Sequence, residues 1–464
     1  MPLIKSIAGV RGTIGGKIGE GLTPIDVVAL TTAFGRQLLQ QPGSKLVVIG
    51  RDARPSGAII SQLVSATLQS LGIDVMDLGL STTPTVAIAV PKEQASGGMV
   101  ITASHNPAEW NALKLLNQAG EYIDAPTAAA VFAVAAQHDH TFAGAQQLGK
   151  YSCKDNYVDE HIRQILALPL VDRTAITQRK FKVAVDAVNS TGGLAIPKLL
   201  QALGVTHITE LHCQPTGLFP HDPEPLPEHL TELADTVKAG DYDLGIAVDP
   251  DVDRLAVVDE NGQAWGEDYT LVAVADYVLS QTPGNTVSNL SSSSALKVLT
   301  MQYGGSYATS AIGEMHVVAK MKATQAVIGG EGNGGVIYPA LHYGRDALVG
   351  IALLLSHLAR SGQAASALRA GYPSYAMAKT KIQLAPEVDI AIILNKLKSQ
   401  YSQYPINTEE GIKVMLDRGW VHLRKSNTEP VIRIHAEGAT QESATSLLAQ
   451  VMRDIQKFMP TVVL

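Results

Sequence analysis

Two short segments carry residue types that could do chemistry together: Thr102-Ala103-Ser104-His105-Asn106-Pro107 and Asp249-Pro250-Asp251-Val252-Asp253-Arg254. The first sets the Ser104 hydroxyl beside the His105 imidazole on a turn closed by proline, the makings of a nucleophile. The second places Asp249, Asp251 and Asp253 at alternate positions, as a hard divalent cation such as Mg²⁺ requires. A nucleophile and a metal point to group transfer. Acyl transfer is disfavoured because the G-x-S-x-G elbow of hydrolases is absent around Ser104. A calcium-hand loop, suggested by Glu260 at the twelfth position, fails on two counts. Arg254 stands where the sharp turn needs glycine, and Leu255-Ala256-Val257-Val258 reads as a strand rather than an exiting helix.

Two further loops add binding chemistry. Gly330-Glu331-Gly332-Asn333-Gly334-Gly335 matches a dinucleotide fingerprint, but Val336-Ile337-Tyr338-Pro339 does not open a helix, so no positive helix end awaits a pyrophosphate. It reads instead as a tight loop whose glycines let Glu331 approach a ligand, or as a plain hairpin turn. Arg424-Lys425-Ser426-Asn427-Thr428-Glu429-Pro430, with Arg433, combines guanidinium groups, hydroxyls and backbone N–H groups, the mixture phosphate recognition uses. A solvated hairpin end is the plainer alternative. Arg11, within Gly9-Val10-Arg11-Gly12-Thr13, either joins this positive field or caps a loop. No Walker loop is present, so nucleotide-driven chemistry has no support. His316 and His342 lack spaced partners and read as structural.

These residues need elements to hold them. A β-branched run, a small polar loop, an amphipathic stretch and a glycine recur from Leu46 to Gly72, from Val183 to Gly204 and, more loosely, from Thr286 to Gly304. A later apolar strand then runs into each unusual loop: Met99-Val100-Ile101 toward Ser104, Gly245 to Val248 into Asp249, and Ala326-Val327-Ile328 into Gly330. Open α/β sheets place ligands at such strand ends. Asn111-Ala112-Leu113-Lys114, taken as helical, brings a cation within one or two turns of Ser104. The last ninety or so residues differ. Helical spacing from Val388 to Leu397 precedes strands at Gly411–Met415 and Trp420–Leu423 joined by a turn at Asp417-Arg418-Gly419, then a strand at Val431–His435 and a final helix. The expected fold class is therefore α/β: three similar mixed α/β domains, at 1–150, 151–258 and 259–370, followed by an α+β domain at 371–464.

The 464 residues, 46% hydrophobic and 17% charged, suffice for several cores. A net charge of -7 gives no support for a nucleic-acid or acidic-membrane partner, so any anion must be held by local positive charge. Cys153 and Cys213 form no Cys-x-x-Cys pair, which fits a reducing, cytoplasmic setting. The N-terminal segment lacks the pattern of a secretion signal, and the longest apolar runs, Ala128 to Ala136 and Val349 to Leu355, fall short of a membrane span.

With four loops in this order, the chain closely resembles the α-D-phosphohexomutase family along nearly its whole length. The resemblance implies four domains around a central active-site cleft, and an isomerase that moves a phosphoryl group between O6 and O1 of a hexose phosphate. It implies that Ser104 carries the phosphoryl group, that Asp249, Asp251 and Asp253 with a phosphoserine oxygen hold Mg²⁺, and that Glu331 holds sugar hydroxyls. Arg424, Ser426, Asn427, Thr428 and Arg433 become the clamp on the unreacting phosphate, and Arg11, Lys114 and His105 belong to the catalytic machinery, with Arg254 and Asn333 among the substrate contacts. A sugar 1,6-bisphosphate is the implied intermediate and activator. Asn333 and Gly335 stand where many members carry serine and histidine, leaving sugar preference open. The Gly-Gly-Glu-Gly-Asn-Gly-Gly form and Trp110-Asn111-Ala112-Leu113-Lys114 are similar to a branch acting on glucosamine 6-phosphate and glucosamine 1-phosphate, with a phosphomannomutase/phosphoglucomutase as the alternative. The expected assembly is a monomer or homodimer. Ser104→Ala should abolish turnover and Arg424→Ala should mainly raise KM; steady-state kinetics check both, and normal turnover in the first or an unchanged KM in the second contradicts this reading.

Overall fold

The strongest apolar runs become the strands at the centre of each sheet. Leu46–Arg51, Gly97–Ile101, Lys182–Asp186 and Leu244–Val248 are almost wholly buried and pair in parallel, as β-branched runs covered on both faces do. The computed structural model describes residues 3–7, 9–137, 140–383, 390–425 and 431–458. Within them lie four sheets of seven, four, four and five strands.

The first sheet runs in the order Ile4–Ser6, Gly9–Thr13, Trp110–Leu116, Gly97–Ile101, Leu46–Arg51, Asp74–Leu80 and Tyr151–Cys153. Its last strand pairs in parallel with Asp74–Leu80, so this sheet runs past the expected boundary at 150. The second sheet is ordered Leu255–Asp259, Leu244–Val248, Lys182–Asp186 and His207–Leu211, and Asp259 carries it one residue past 258. The third is Tyr307–Ser310, Asn285–Asn289, Ala326–Glu331 and Gly335–Ile337. The fourth, from Ala376–Gln383 through Val431–Gly438, Gly419–Lys425 and Ile412–Leu416 to Ile406–Asn407, is antiparallel throughout. The expected fold class is observed.

One segment departs from expectation. Asn111-Ala112-Leu113-Lys114 is not helical; it lies in the buried strand Trp110–Leu116, between Gly97–Ile101 and Gly9–Thr13. Seven consecutive buried residues satisfy a sheet covered on both faces, and tertiary pairing overrides local helix preference. Lys114 still reaches the site because it stands opposite Val100 in the neighbouring strand.

A common plan positions the functional loops. In each of the first three sheets a strand with a parallel neighbour is followed by an antiparallel return: Ile101 pairs with Leu113, Val248 with Leu255, and Glu331 with Gly335. The loops bearing Ser104, the three aspartates and Asn333 are the ends of these hairpins. Helices flank the sheets, capped where the chain enters them. Thr23 forms a reciprocal box with Asp26 before Pro24–Leu39, and Asp346 accepts from Leu348 and Val349 N–H at the start of Ala347–Ser361. That last helix is buried from Ala347 to Ser356 and packs on Arg173–Arg179 and Gly192–Leu203, so the second and third domains share one core.

The fourth domain docks on the third through polar contacts. Ser294 N–H and Oγ donate to Glu437, Lys413 Nζ donates to the Leu290 carbonyl at 2.7 Å, and His422 Nδ1 lies 2.8 Å from Ser291 Oγ. Burial, followed by the Lys413 and Arg424 charges, outweighs a hydrogen bond to the Glu410 carbonyl and pushes the His422 imidazole down to about 4. A histidine whose folded pKa is depressed binds fewer protons than the unfolded chain, so its stabilising effect is present above about pH 6.5 and is lost as pH falls toward 4. Acidification across that window should destabilise this domain by roughly 2–3 kcal/mol through His422, and His422→Asn should flatten the dependence. Unfolding followed by calorimetry at several pH values checks this; an unchanged slope in the variant contradicts it.

Candidate active site

Ser104 leaves the strand Gly97–Ile101 by a turn that forces it to φ +51°, a conformation serine seldom adopts. Buried Arg54 holds the turn there. Its guanidinium donates to the carbonyls of Ser104 (2.6 Å), Asn106 (2.5 Å), Trp110 (3.1 Å) and Pro107, while Nε pairs with Asp52 at 3.0 Å. Asp52 Oδ2 accepts from Thr102 Oγ1 (2.6 Å), which in turn accepts from the Ser104 N–H (2.9 Å). The Asp52 carboxyl is nonetheless raised, because burial outweighs the arginine beside it. The sequence reading missed this pair, although two opposite charges directly after an apolar strand were a visible signal.

The fixed turn aims Ser104 Oγ at Asp249 Oδ2, 2.6 Å away, with His105 Nδ1 at 3.4 Å. Asp249 Oδ1 also accepts from the N–H groups of Asp253 and Arg254, which closes a sharp loop with Val252 at φ +65°. One carboxylate oxygen from each of Asp249, Asp251 and Asp253 lies within 4.8 Å of the others, and all three residues are fully buried. Among the described residues, Oδ1 of Asp251 and of Asp253 has no hydrogen-bond partner. Buried orphan oxygens converging with a third carboxylate suit a divalent cation that takes oxygen ligands.

Cations already surround this charge. Lys114 Nζ lies 2.6 Å from Asp251 and 3.7 Å from Asp253, and Thr83 Oγ1 donates to Asp251 at 2.5 Å. Burial disfavours the Lys114 charge, yet Asp251, Tyr122 and Asp253 more than compensate, and its pKa is raised well above the usual lysine value. Burial likewise pushes Asp251 up, but the Lys114 charge and hydrogen bond reverse this and leave it lowered. Asp249 is pushed well up by burial and by Asp253 and Asp251, which outweigh the Arg254 charge and the Ser104 hydrogen bond. His105 goes the other way: burial, Arg254, Arg11 and Arg345 depress its pKa well below the ordinary histidine value, so it is neutral.

Arg345 joins the second loop to the third. It donates to Asp253 (2.7 Å) and Glu314 (2.9 Å) and lies 3.3 Å from Glu331. Glu331 also accepts from Asn289 Nδ2 and Gly313 N–H, both at 3.0 Å. Burial opposes its charge, but Arg345 and these donors lower its pKa, so it is ionised. Asn333 Oδ1 accepts from the Gly335 N–H at 3.2 Å and serves the hairpin turn. Gly334 must be glycine here, since φ is +84° and a Cβ would sit 2.4 Å from the Leu255 carbonyl oxygen. Neither Arg345 nor its partner Glu314 stood out in the sequence, because each gains meaning only from residues far along the chain.

The remaining arginines converge on the same space. Arg11 Nη1 donates to Asn106 Oδ1 at 3.3 Å, and burial with the neighbouring charges of Arg433 and Arg254 lowers its pKa. Arg254 donates to Glu224 at 3.0 Å. Arg424 and Arg433 stand opposite each other in paired strands, and Arg424 lies 3.6 Å from Glu410 and feels the Glu331 charge. Ser426, Asn427 and Thr428 lie outside the described residues.

Family models for phosphoglucomutase/phosphomannomutase match the chain from end to end: α/β/α domain I over residues 4–141, domain II over 156–262, domain III over 266–375 and the C-terminal domain over 380–454. The chain belongs to the α-D-phosphohexomutase family. It is 36% identical to a phosphoglucomutase/phosphomannomutase of Thermococcus kodakarensis and 33% identical to a probable phosphoglucosamine mutase of Methanopyrus kandleri, in both cases over 95% of each chain. A crystal structure of a phosphoglucomutase/phosphomannomutase family protein from Burkholderia thailandensis covers 99% of each chain with a TM-score of 0.85 and 27% identity. The protein is accordingly a hexose phosphate mutase, an isomerase, and no helix among the described residues is long and apolar enough to cross a membrane. In this phosphohexomutase, Arg54→Lys should lower kcat at least tenfold with little loss of secondary structure, because an ammonium cannot bond four carbonyls and Asp52 together. Steady-state kinetics beside circular dichroism check this; an unchanged kcat contradicts the clamp.

Proposed function

We propose that the enzyme interconverts glucosamine 6-phosphate and glucosamine 1-phosphate through a phosphorylated Ser104 and a sugar 1,6-bisphosphate. The observation that carries the serine's role is the hydrogen bond from its Oγ into the aspartate triad, on a turn with no freedom to point elsewhere. The amino-sugar substrate is supported by relatives named as probable phosphoglucosamine mutases in Methanopyrus kandleri and Methanosphaera stadtmanae, and as a phosphoglucosamine/phosphogalactosamine mutase in Sulfurisphaera tokodaii, at 30–33% identity. The Thermococcus kodakarensis relative, at 36%, favours glucose and mannose phosphates as the second reading.

The residues divide the work as follows. The phosphoryl group passes from Ser104 Oγ to the free hydroxyl of the sugar phosphate: the Oγ–P bond breaks, a new O–P bond forms and the hydroxyl releases a proton. His105 Nδ1, 3.4 Å from Ser104 Oγ, is placed to accept that proton, whereas Lys114, held charged by Asp251, neutralises negative charge. Asp249, Asp251 and Asp253 would hold Mg²⁺, which supplies Lewis-acid neutralisation of phosphoryl oxygens when bound. Ionised Glu331 accepts from sugar hydroxyls or from a 2-ammonium group, with Asn333 fixing its turn. Arg424 and Arg433, with Ser426, Asn427 and Thr428, bind the unreacting phosphate by charge-assisted bonds. Arg254 adds a further substrate contact, and Arg11, bonded to Asn106 of the serine loop, belongs with the catalytic groups. After the bisphosphate turns over, the second phosphate returns to Ser104 and leaves the isomeric product.

³¹P NMR of the protein with Mg²⁺ and a trace of sugar bisphosphate, comparing kcat/KM for glucosamine, glucose and mannose phosphates, tests the proposal. At least a tenfold preference for the amino sugar is expected. Equal or better turnover of glucose or mannose phosphate overturns the substrate and selects the second reading, and release of inorganic phosphate in place of isomerisation overturns the transfer cycle.

A further inference from the structure

In the second sheet, Lys182–Asp186 ends on a buried carboxylate, and the adjacent His207–Leu211 ends with Leu211 opposite Asp186. His212 follows immediately, and the chain then returns His221 to the same carboxylate, with Nε2 3.0 Å from Asp186 Oδ2. One ring nitrogen of each histidine and one carboxylate oxygen of Asp186 lie within 4.8 Å of one another. We propose that Asp186, His212 and His221 form a second metal site, distinct from the aspartate triad and suited to Zn²⁺ rather than Mg²⁺.

The donor set decides the class of ion. Two imidazoles and one carboxylate match Zn²⁺ and its first-row neighbours, while Mg²⁺ demands an octahedron of oxygens. The outer contacts point the same way. Metal-bound histidines present one nitrogen to the ion and donate the other N–H to a carbonyl or carboxylate. Here His221 Nδ1 lies 2.8 Å from the Asp222 carbonyl and His212 Nε2 lies 3.0 Å from Glu232, so each imidazole has one nitrogen engaged by an oxygen outside the set, and His221 turns Nε2 to Asp186. Donors about 2.0–2.1 Å from a tetrahedral ion stand about 3.3 Å apart, so the 3.0 Å pair opens slightly and the 4.8 Å limit closes through side-chain rotation. The Asp186 side chain is 2% exposed and each imidazole 20%, so the site is anchored inside and reachable from outside. Cys213 is not in the set, because its thiol turns inward to the Leu211 carbonyl at 3.3 Å.

The place of the site in the fold gives it a task. The segment that begins at His212 carries Phe219, whose ring lies 5.0 Å from the Arg54 guanidinium, and Glu224, the partner of Arg254. An ion bound at its base fixes the segment that flanks both active-site arginines.

Co²⁺ and Zn²⁺ titration of the chelator-treated full chain, with the aspartate triad kept saturated by Mg²⁺, tests the site by calorimetry and by visible absorption of Co²⁺. One equivalent with micromolar affinity and a four-coordinate Co²⁺ spectrum are expected. His212→Gln and His221→Gln, at partly exposed positions, should each weaken binding at least tenfold, and Asp253→Asn should leave the Co²⁺ spectrum intact. Absence of uptake by the wild-type chain, affinity unchanged in both histidine variants, or loss of the spectrum in Asp253→Asn would each overturn the proposal.

Discussion

Three buried carboxylates in one small volume repel each other, and much of the site answers that constraint. Asp249, Asp251 and Asp253 need positive charge to remain ionised out of water. Lys114 meets Asp251, Arg345 meets Asp253, and Asp249 is left with a hydroxyl and two backbone N–H groups. The asymmetry is informative: the least neutralised carboxylate is the one in contact with Ser104. A divalent ion held by the triad would balance the remaining charge.

Rigidity comes from elsewhere. Each of the first three loops is the tip of a hairpin whose two strands are fixed by register, so its backbone has little room to slide. Arg54 adds a staple inside the first loop, and Arg345 ties the second to the third. Precision is thus built at two scales, with strands setting loop positions and guanidinium groups setting side-chain directions.

The sequence revealed the loops well and their supports poorly. Alternate aspartates, a serine after an apolar strand and a glycine-rich turn are local patterns, and the α/β repeats follow from runs of Val, Ile and Leu. Lys114 shows the limit. Asn111-Ala112-Leu113-Lys114 reads as helical, yet pairing on both sides makes it part of a strand, a fact held by partners about a hundred residues away in one direction and a dozen in the other. Arg345 was missed for the same reason, since an arginine far from its acceptors in sequence looks like a surface charge. Asn333 stood out as a ligand contact, and the hairpin shows its carbonyl oxygen occupied by its own turn.

Arg345 spans Asp253 and Glu331, which makes two recognition events thermodynamically linked. Whatever Glu331 engages changes how much of the guanidinium charge is available to Asp253. If the triad holds a cation and Glu331 a sugar, as proposed above, their affinities would shift together, by one common factor in both directions. A single side chain would then make metal and sugar behave as one composite ligand.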